Sequence, residues 1–243
     1  MSQELAALIA KSRRILAFTG AGLSTGSGIP DFRGPQGVWT KRAPVYFQEF
    51  MASEEARVDY WELKLEGYAA FRDAKPNAAH RALVELERRG QLECLVTQNV
   101  DGLHQAAGTS REKLIELHGT NAEVECVGCG AREGAARTMD EFERTRQPPR
   151  CAQCGELLKP AVVMFGQSLD LDALRRARRA SEAANLILAL GSSLVVTPAA
   201  DIPLFGARRG TPYVIVNRGE TPQDDVATLR IDDDVVAVLA AAL

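Results

Sequence analysis

No apolar run in this sequence approaches the roughly 20 residues that a membrane-spanning helix needs, so no association with a membrane is expected. An excess of charge of one sign is also missing: 29 basic residues stand against 32 acidic ones, a formal net charge of −3. Attraction to nucleic acid therefore has no general electrostatic source, and pairs such as Arg13-Arg14 and Arg208-Arg209 read as solvated faces. The opening residues, MSQELAALIAKSRR, form an amphipathic helical pattern. They lack the basic start and long apolar core of a secretory signal, so a cytoplasmic protein is expected. Internal repeats and low-complexity tracts are absent, and no pattern specifies an oligomeric state. Histidine is scarce, three in 243 residues, so each one can be weighed individually.

What is present is ordinary in bulk, 46% hydrophobic and 25% charged, as in a soluble globular protein. The information lies in its order. Five short apolar runs recur within Arg14–Gly20, Leu92–Asn99, Lys113–Gly119, Ala184–Ser193 and Pro212–Gly219. Near-continuous apolarity suits parallel strands covered on both faces. Helical patterns alternate with them: Ser2–Arg13, Asn77–Arg89, Asp170–Glu182 and Asp234–Leu243. Alternating strand and helix predicts a doubly wound α/β domain, whose ligands bind beyond the carboxyl ends of the strands. Small or polar residues stand there: Thr19-Gly20, Gln98-Asn99, Gly191-Ser192-Ser193 and Asn217. Two segments depart from the alternation. Residues 41–74 concentrate aromatics in a helical pattern and read as an insertion. Residues 121–156 are polar and carry four cysteines, leaving 1–40, 75–120 and 157–243 for the main domain.

Those cysteines are spaced Cys126-x2-Cys129, 21 intervening residues, then Cys151-x2-Cys154, each pair followed by a glycine. Two such knuckles can supply four thiolates to a tetrahedral Zn2+. Four thiolates leave no open position, so the metal is expected to be structural. A redox pair or unconnected thiols are the alternatives. Cys94 sits in an apolar run and reads as a buried, inert thiol.

The first strand runs into Gly20-Ala21-Gly22, as a phosphate-cradling turn should. The third glycine of the dinucleotide pattern is missing, since Thr25 stands there, and no acid follows where a ribose hydroxyl would need one. Instead the chain enters PDFRGP, where Pro30 and Pro35 bracket an acid, an aromatic and a guanidinium. That is more chemistry than a connection needs.

The stretches GAGLSTGSGIPDFRG, TQNVDGLHQAAG, the His-Gly after KLIEL, the paired Cys-x-x-Cys, VVMFG, GSSL and VNRGE together resemble the sirtuins, from about Leu5 to Leu239. The resemblance implies a Rossmann-like domain with a small zinc-ribbon module and a helical insertion. It implies an NAD-dependent protein-lysine deacylase that consumes NAD, releases nicotinamide and passes the acyl group from lysine to ADP-ribose. Acyl-lysine proteins or peptides would be the partners. By the same resemblance, Gly20, Ala21, Gly22 and Thr25 lie along the diphosphate and ribose, Phe32 shields the reacting ribose carbon and Arg33 places the phosphates. Gln98, Asn99, Val100 and Asp101 form the nicotinamide pocket, with Asn99 and Asp101 holding the carboxamide and a catalytic water. His118 is the general base, its neutral form being available at pH 7. Gly191, Ser192, Ser193, Asn217, Arg218 and Val235 meet the adenosine.

In KPAVVMFGQ, Lys159–Gln167, a substrate peptide would add to a strand edge, meeting the Val163 carbonyl, with Phe165 lining the acyl-lysine tunnel. Met164 and Gln167 depart from the commoner aromatic and Glu. His80 is expected to be structural and His104 to support the pocket. Sirtuins that remove succinyl groups carry a Tyr-x-x-Arg pair, where this chain has Trp61 and Lys64, so small neutral acyl groups are expected. A zinc-ribbon nucleic-acid module would want a basic surface, and a dehydrogenase would want the missing ribose acid. A mono-ADP-ribosyltransferase, which breaks the same glycosidic bond, stays open.

Overall fold

The computed structural model describes residues 2–34 and 37–243; Pro35, one of the two bracketing prolines, lies outside them. Among the described residues the strands are β1 (Ile15–Thr19), β2 (Leu92–Thr97), β3 (Leu114–Glu116), β4 (Gly119–Cys126), β5 (Arg132–Gly134), β6 (Leu158–Val162), β7 (Leu186–Leu190), β8 (Tyr213–Val216) and β9 (Leu229–Ile231). All five expected runs hold a strand of one sheet, ordered β3-β2-β1-β7-β8-β9. Every pairing in it is parallel. The sixth member, β9, is only three residues long.

Continuous apolarity has the anticipated cause. Ile15 and Ala17 face one core, with Leu5, Leu83, Leu86 and Leu239. Leu16 and Phe18 face the other, with Ala177, Ile202 and Tyr213. Helices therefore cover both faces. The helix Ala78–Arg88 starts where Asn77 Oδ1 accepts from the backbone N–H of Ala79 and His80 at 2.9 and 3.3 Å. A side-chain cap of this kind contributes about 1 kcal/mol.

The sheet reverses its order between β1 and β7. There the two strand ends interlock through glycines. Gly20 N–H donates to the Leu190 carbonyl and Gly22 N–H to the Gly191 carbonyl, at 3.0 and 2.8 Å. A Cβ on Gly20 would sit 2.7 Å from the Gly191 carbonyl oxygen. One on Gly191, whose φ is +63°, would sit 2.3 Å from Leu23 N. Only residues without side chains allow this approach.

A second sheet, β5-β4-β6, is antiparallel. It recruits Leu158–Val162, which the sequence reading placed with the larger unit at 157–243. Its apolar face packs with the helices Phe47–Ala52 and Glu54–Asp73 of the insertion: Phe50, Tyr60 and Trp61 meet Val124, Met139, Phe142 and Met164. Trp61 and Phe142 rings lie 5.9 Å apart, both fully buried. Truncating either to Ala should cost about 3–5 kcal/mol. Lys159 is buried in β6, its Nζ donating to Glu125 Oε1 at 2.7 Å and to the Val162 carbonyl at 2.8 Å.

Candidate active site

A cleft of about 550 Å3 opens at the switch point. Gly20, Ala21, Gly22, Phe32, Arg33, Gln98, Asn99, Val100, His118, Val163, Phe165, Gly191, Ser192, Ser193, Asn217 and Arg218 line it. These residues come from seven separate stretches of sequence, which meet at the carboxyl edge of the parallel sheet, with Val163 and Phe165 brought in from the end of β6 in the second sheet. Three anticipated residues are not among those lining it. Thr25 turns back, its hydroxyl donating to the Gly22 carbonyl at 2.9 Å. Val235 has its side chain in the apolar core. Asp101 stands behind the wall, accepting from Ser24 Oγ at 2.7 Å and from Leu103 N–H at 2.9 Å. Burial raises its carboxyl above the usual range, and those two hydrogen bonds pull it part of the way back.

The loop after Pro30 has a definite internal construction. Asp31 Oδ1 accepts from Gly34 N–H at 2.7 Å, and the Asp31 and Phe32 carbonyls accept from Val38 and Trp39 N–H, each at 3.0 Å. This brings Trp39 against Phe32, stacked at 5.3 Å between ring centroids. Trp39 in turn meets Phe165 at 6.3 Å, and Phe165 meets Tyr46 at 5.7 Å. One wall of the cleft is thus an aromatic row. Tyr46 belongs to the aromatic-rich stretch that the sequence analysis flagged without individual roles; Trp39 lies just before it.

Polar groups face that wall. Asn99 Nδ2 donates to the Gly20 carbonyl and to Ser24 Oγ, both at 3.1 Å. Gln98 Nε2 donates to Ser192 Oγ at 2.8 Å. His118 Nδ1 lies 3.0 Å from the Gln98 carbonyl. A carbonyl can only accept, so Nδ1 carries the proton and Nε2 is left as the basic nitrogen. Burial holds the imidazole below its ordinary value, the bond to Gln98 opposes this, and the nearby Arg33 guanidinium lowers it further. Neutral His118 is therefore the resting form at pH 7. Arg33 is itself partly desolvated, which lowers its own value, but a guanidinium remains charged at neutral pH.

The other two histidines lie away from the cleft wall, both buried. Cys94 is buried too, its thiol pushed up to about 12 by burial, which keeps it unreactive. Trp61 also differs from expectation. It is fully buried against Phe142, while Tyr60 and Lys64 line the cleft. Lys64 Nζ donates to Asn121 Oδ1 at 3.1 Å and lies 5.3 Å from the Tyr60 ring centroid.

Cys126, Cys129, Cys151 and Cys154 bring their sulfurs within 4.8 Å of one another, at the turns either side of the small sheet. Two sulfur pairs lie at 3.4 and 3.8 Å. Tetrahedral thiolates at 2.3 Å from a zinc ion stand about 3.8 Å apart, so the set fits. Backbone N–H groups of Cys129 and Gly128 point at Cys126 Sγ, both at 3.4 Å, and favour its thiolate. None of the four lines the cleft. This is a structural zinc site.

Fold and site together define a doubly wound α/β protein with a nucleotide-sized cleft at its switch point and a separate four-thiolate zinc centre. The chain belongs to the Sir2 family, whose family model matches residues 20–198. It is 42% identical to an NAD-dependent protein deacetylase of Rhodopseudomonas palustris, across 96% of this chain and 92% of that one. It is 44% identical to one of Thermotoga maritima, across 96% and 94%. Among solved structures, a Sir2 protein with a p53 peptide and NAD+ superimposes with a TM-score of 0.89 at 42% identity, covering 98% of this chain and 95% of that one. A Sir2 variant with a deacetylated p53 peptide and 3'-O-acetyl ADP-ribose gives 0.91 at 43%, with the same coverage. No helix among the described residues is long and apolar enough to cross a membrane.

Proposed function

We propose that the chain is an NAD-dependent protein-lysine deacetylase acting through His118. The observation that carries the reading is the tautomer of that residue: Nδ1–H is committed to the Gln98 carbonyl, so Nε2 is the basic nitrogen of a histidine lining the cleft. NAD, consumed as co-substrate, supplies the ADP-ribosyl acceptor and departs as nicotinamide and O-acetyl-ADP-ribose, leaving free lysine. The remaining roles belong to the protein. The interlocked glycine turn, bare of side chains, lets the diphosphate approach the backbone closely, and Arg33 adds a fixed positive charge. Asn99 holds the carboxamide side of the nicotinamide pocket, while Ser24 and Asp101 fix the orientation of Asn99 from behind. Phe32, stacked on Trp39, keeps solvent from the reacting ribose carbon. His118 Nε2 takes a proton from a ribose hydroxyl. Ser192, Ser193, Asn217 and Arg218 form the adenosine end.

An extended acyl-lysine peptide would bond to the backbone after β6, with the Val163 carbonyl accepting from the lysine amide and Phe165 lining the tunnel. We assign the nucleotide to 1–40, 75–120 and 157–243, with the insertion 41–74 and the zinc unit 121–156 forming the other side of the cleft. A cytoplasmic location is supported by the thiolate zinc site, which requires reduced cysteines.

Incubating the protein with NAD and an acetyl-lysine peptide, then weighing all products, tests the reading. Expected are free peptide lysine, nicotinamide and O-acetyl-ADP-ribose in equal amounts. A protein or peptide gaining the mass of ADP-ribose, without deacetylated peptide, would assign mono-ADP-ribosyl transfer instead.

A further inference from the structure

Among the buried polar side-chain atoms that have no hydrogen-bond partner are His80 Nε2 and His104 Nδ1, both outside the cleft. They belong to rings that lie 4.8 Å apart, centroid to centroid. An unpaired buried polar atom costs about 1–3 kcal/mol, so two in adjacent rings call for a common explanation. The surrounding bonds supply one. Asn77 N–H donates to His80 Nδ1 at 3.3 Å. An N–H cannot accept, so neutral His80 carries its proton on Nε2. The unpartnered atom of His80 is therefore a donor. His104 complements it only if its Nδ1 is bare and its proton is on Nε2. That nitrogen then donates to Thr19 Oγ1, 3.0 Å away. Thr19 is thereby free to donate to Thr97 Oγ1 at 2.8 Å, and the same oxygen accepts from Asn99 N–H at 3.0 Å. Every hydroxyl and ring proton in the recorded bonds then has one direction, and what is left over is a donor on His80 and an acceptor on His104, in rings 4.8 Å apart.

We propose that His80 and His104 are positioning residues for the deacylation reaction: a pair of neutral, Nε2-protonated imidazoles forming one hydrogen-bond relay that holds Asn99 at the cleft. The relay begins at Asn77, whose Nδ2 donates to the Leu23 carbonyl and Ser27 Oγ at 2.8 and 3.0 Å. It thus ties the segment after the glycine turn to the nicotinamide pocket through the interior of the protein. The proposal rests on the deacetylase reading for its consequence but not for its chemistry, and its test separates the two.

The chemistry is read by long-range 1H–15N correlation on the whole, zinc-loaded protein at pH 7. Both rings should show a bare Nδ1 and a protonated Nε2. A protonated Nδ1 on either, or a doubly protonated ring, would overturn the relay. The consequence is read kinetically. His80→Phe and His104→Phe keep planar bulk and remove the polar atoms. Each should lower kcat about tenfold, while the KM for peptide changes less than about twofold, since only positioning at the nicotinamide end is lost. The double variant should be no worse than the poorer single, because each breaks the same chain. Gln offers an acceptor and a donor on one plane and cannot titrate, so His80→Gln and His104→Gln should keep kcat within about threefold of wild type. Folded Phe variants with unaltered kcat would overturn the positioning role. So would Gln variants as impaired as folded Phe variants. Should the Phe variants not fold, Gln variants more than tenfold down in kcat would overturn it. Correct tautomers in a protein with no deacetylase activity would instead count against the deacetylase reading and leave the relay standing.

Discussion

Lowering the pH should destabilise this protein through its interior histidines, by an amount the structure bounds. Burial holds His80 down to about 4 and His104 down to about 3, against about 6.5 in an unfolded chain. The unfolded state therefore takes up protons that the fold refuses. Stability from this source is complete above about pH 6.5 and drains away as the pH falls, levelling off only near the folded values. Each residue costs about 1.4 kcal/mol per pH unit in that window. Between pH 8 and pH 5 this amounts to about 2 kcal/mol per histidine, or about 4 for the pair. Against a typical total of 5–15 kcal/mol such a loss is large.

Other groups act in the opposite sense. Asp101 and Glu116 are raised by burial and pull the opposite way, gaining protons in the fold. The prediction is therefore a difference. Urea unfolding of wild type and of the His80→Gln, His104→Gln double variant, each at pH 8 and pH 5, cancels every shared contribution. Wild type should lose about 4 kcal/mol more than the double variant between the two conditions, and each single variant should recover about half. Equal losses in wild type and double variant would mean that these rings are protonated in the fold, and the reasoning fails.

Three further outcomes are expected. Cys126→Ser should release the zinc ion and destabilise the small sheet, as metal analysis and thermal unfolding would register; a metal-free wild type that is folded and active would remove the zinc assignment. His118→Ala should reduce deacetylation by 10²–10⁴-fold, the usual contribution of a general base, at unchanged stability; because His118 is held below its ordinary value, wild-type kcat/KM should fall at a more acid pH than an unperturbed imidazole would give. Acetyl-lysine should be removed with at least a tenfold higher kcat/KM than succinyl-lysine on the same peptide, about 1.4 kcal/mol. Lys64→Met should widen that gap by removing a cleft-lining ammonium whose value, lowered to about 8 by burial, leaves it charged at pH 7; equal or better succinyl removal by wild type would refute the preference.

The features legible in the sequence were those that leave a local or periodic trace. Parallel strands read as apolar runs because both their faces are covered, and the cysteine spacing fixed the metal set because the knuckles are local structures. The glycine turn was legible for the same reason: its backbone approach to Gly191 permits no side chain. β9 escaped because it is three residues long with Arg230 at its centre, so it makes no apolar run. β6 was assigned to the larger unit because a buried strand looks alike in either sheet. Both layers demand the same apolar run, and only pairing with β4 separates them.

The helix Glu54–Asp73 was the hardest element to read, and the reason explains the misplaced Trp61. It is buried from two directions, with Trp61 against the core of the small sheet and Lys64 towards the cleft. A helix wetted on one side only shows its phase as an apolar stripe. This one buries aromatic and charged residues on different faces, so the stripe is lost and the phase with it. Neighbours along a helix point about 100° apart, while residues four apart share a face. Tyr60 and Lys64 are four apart and meet at the cleft; Trp61 and Lys64 are three apart, and Trp61 is turned into the core. Of the pair matched by spacing, Lys64 lines the cleft and Trp61 does not. Tyr60 lines the cleft, while its phenol hydroxyl is buried and without a partner among the described residues.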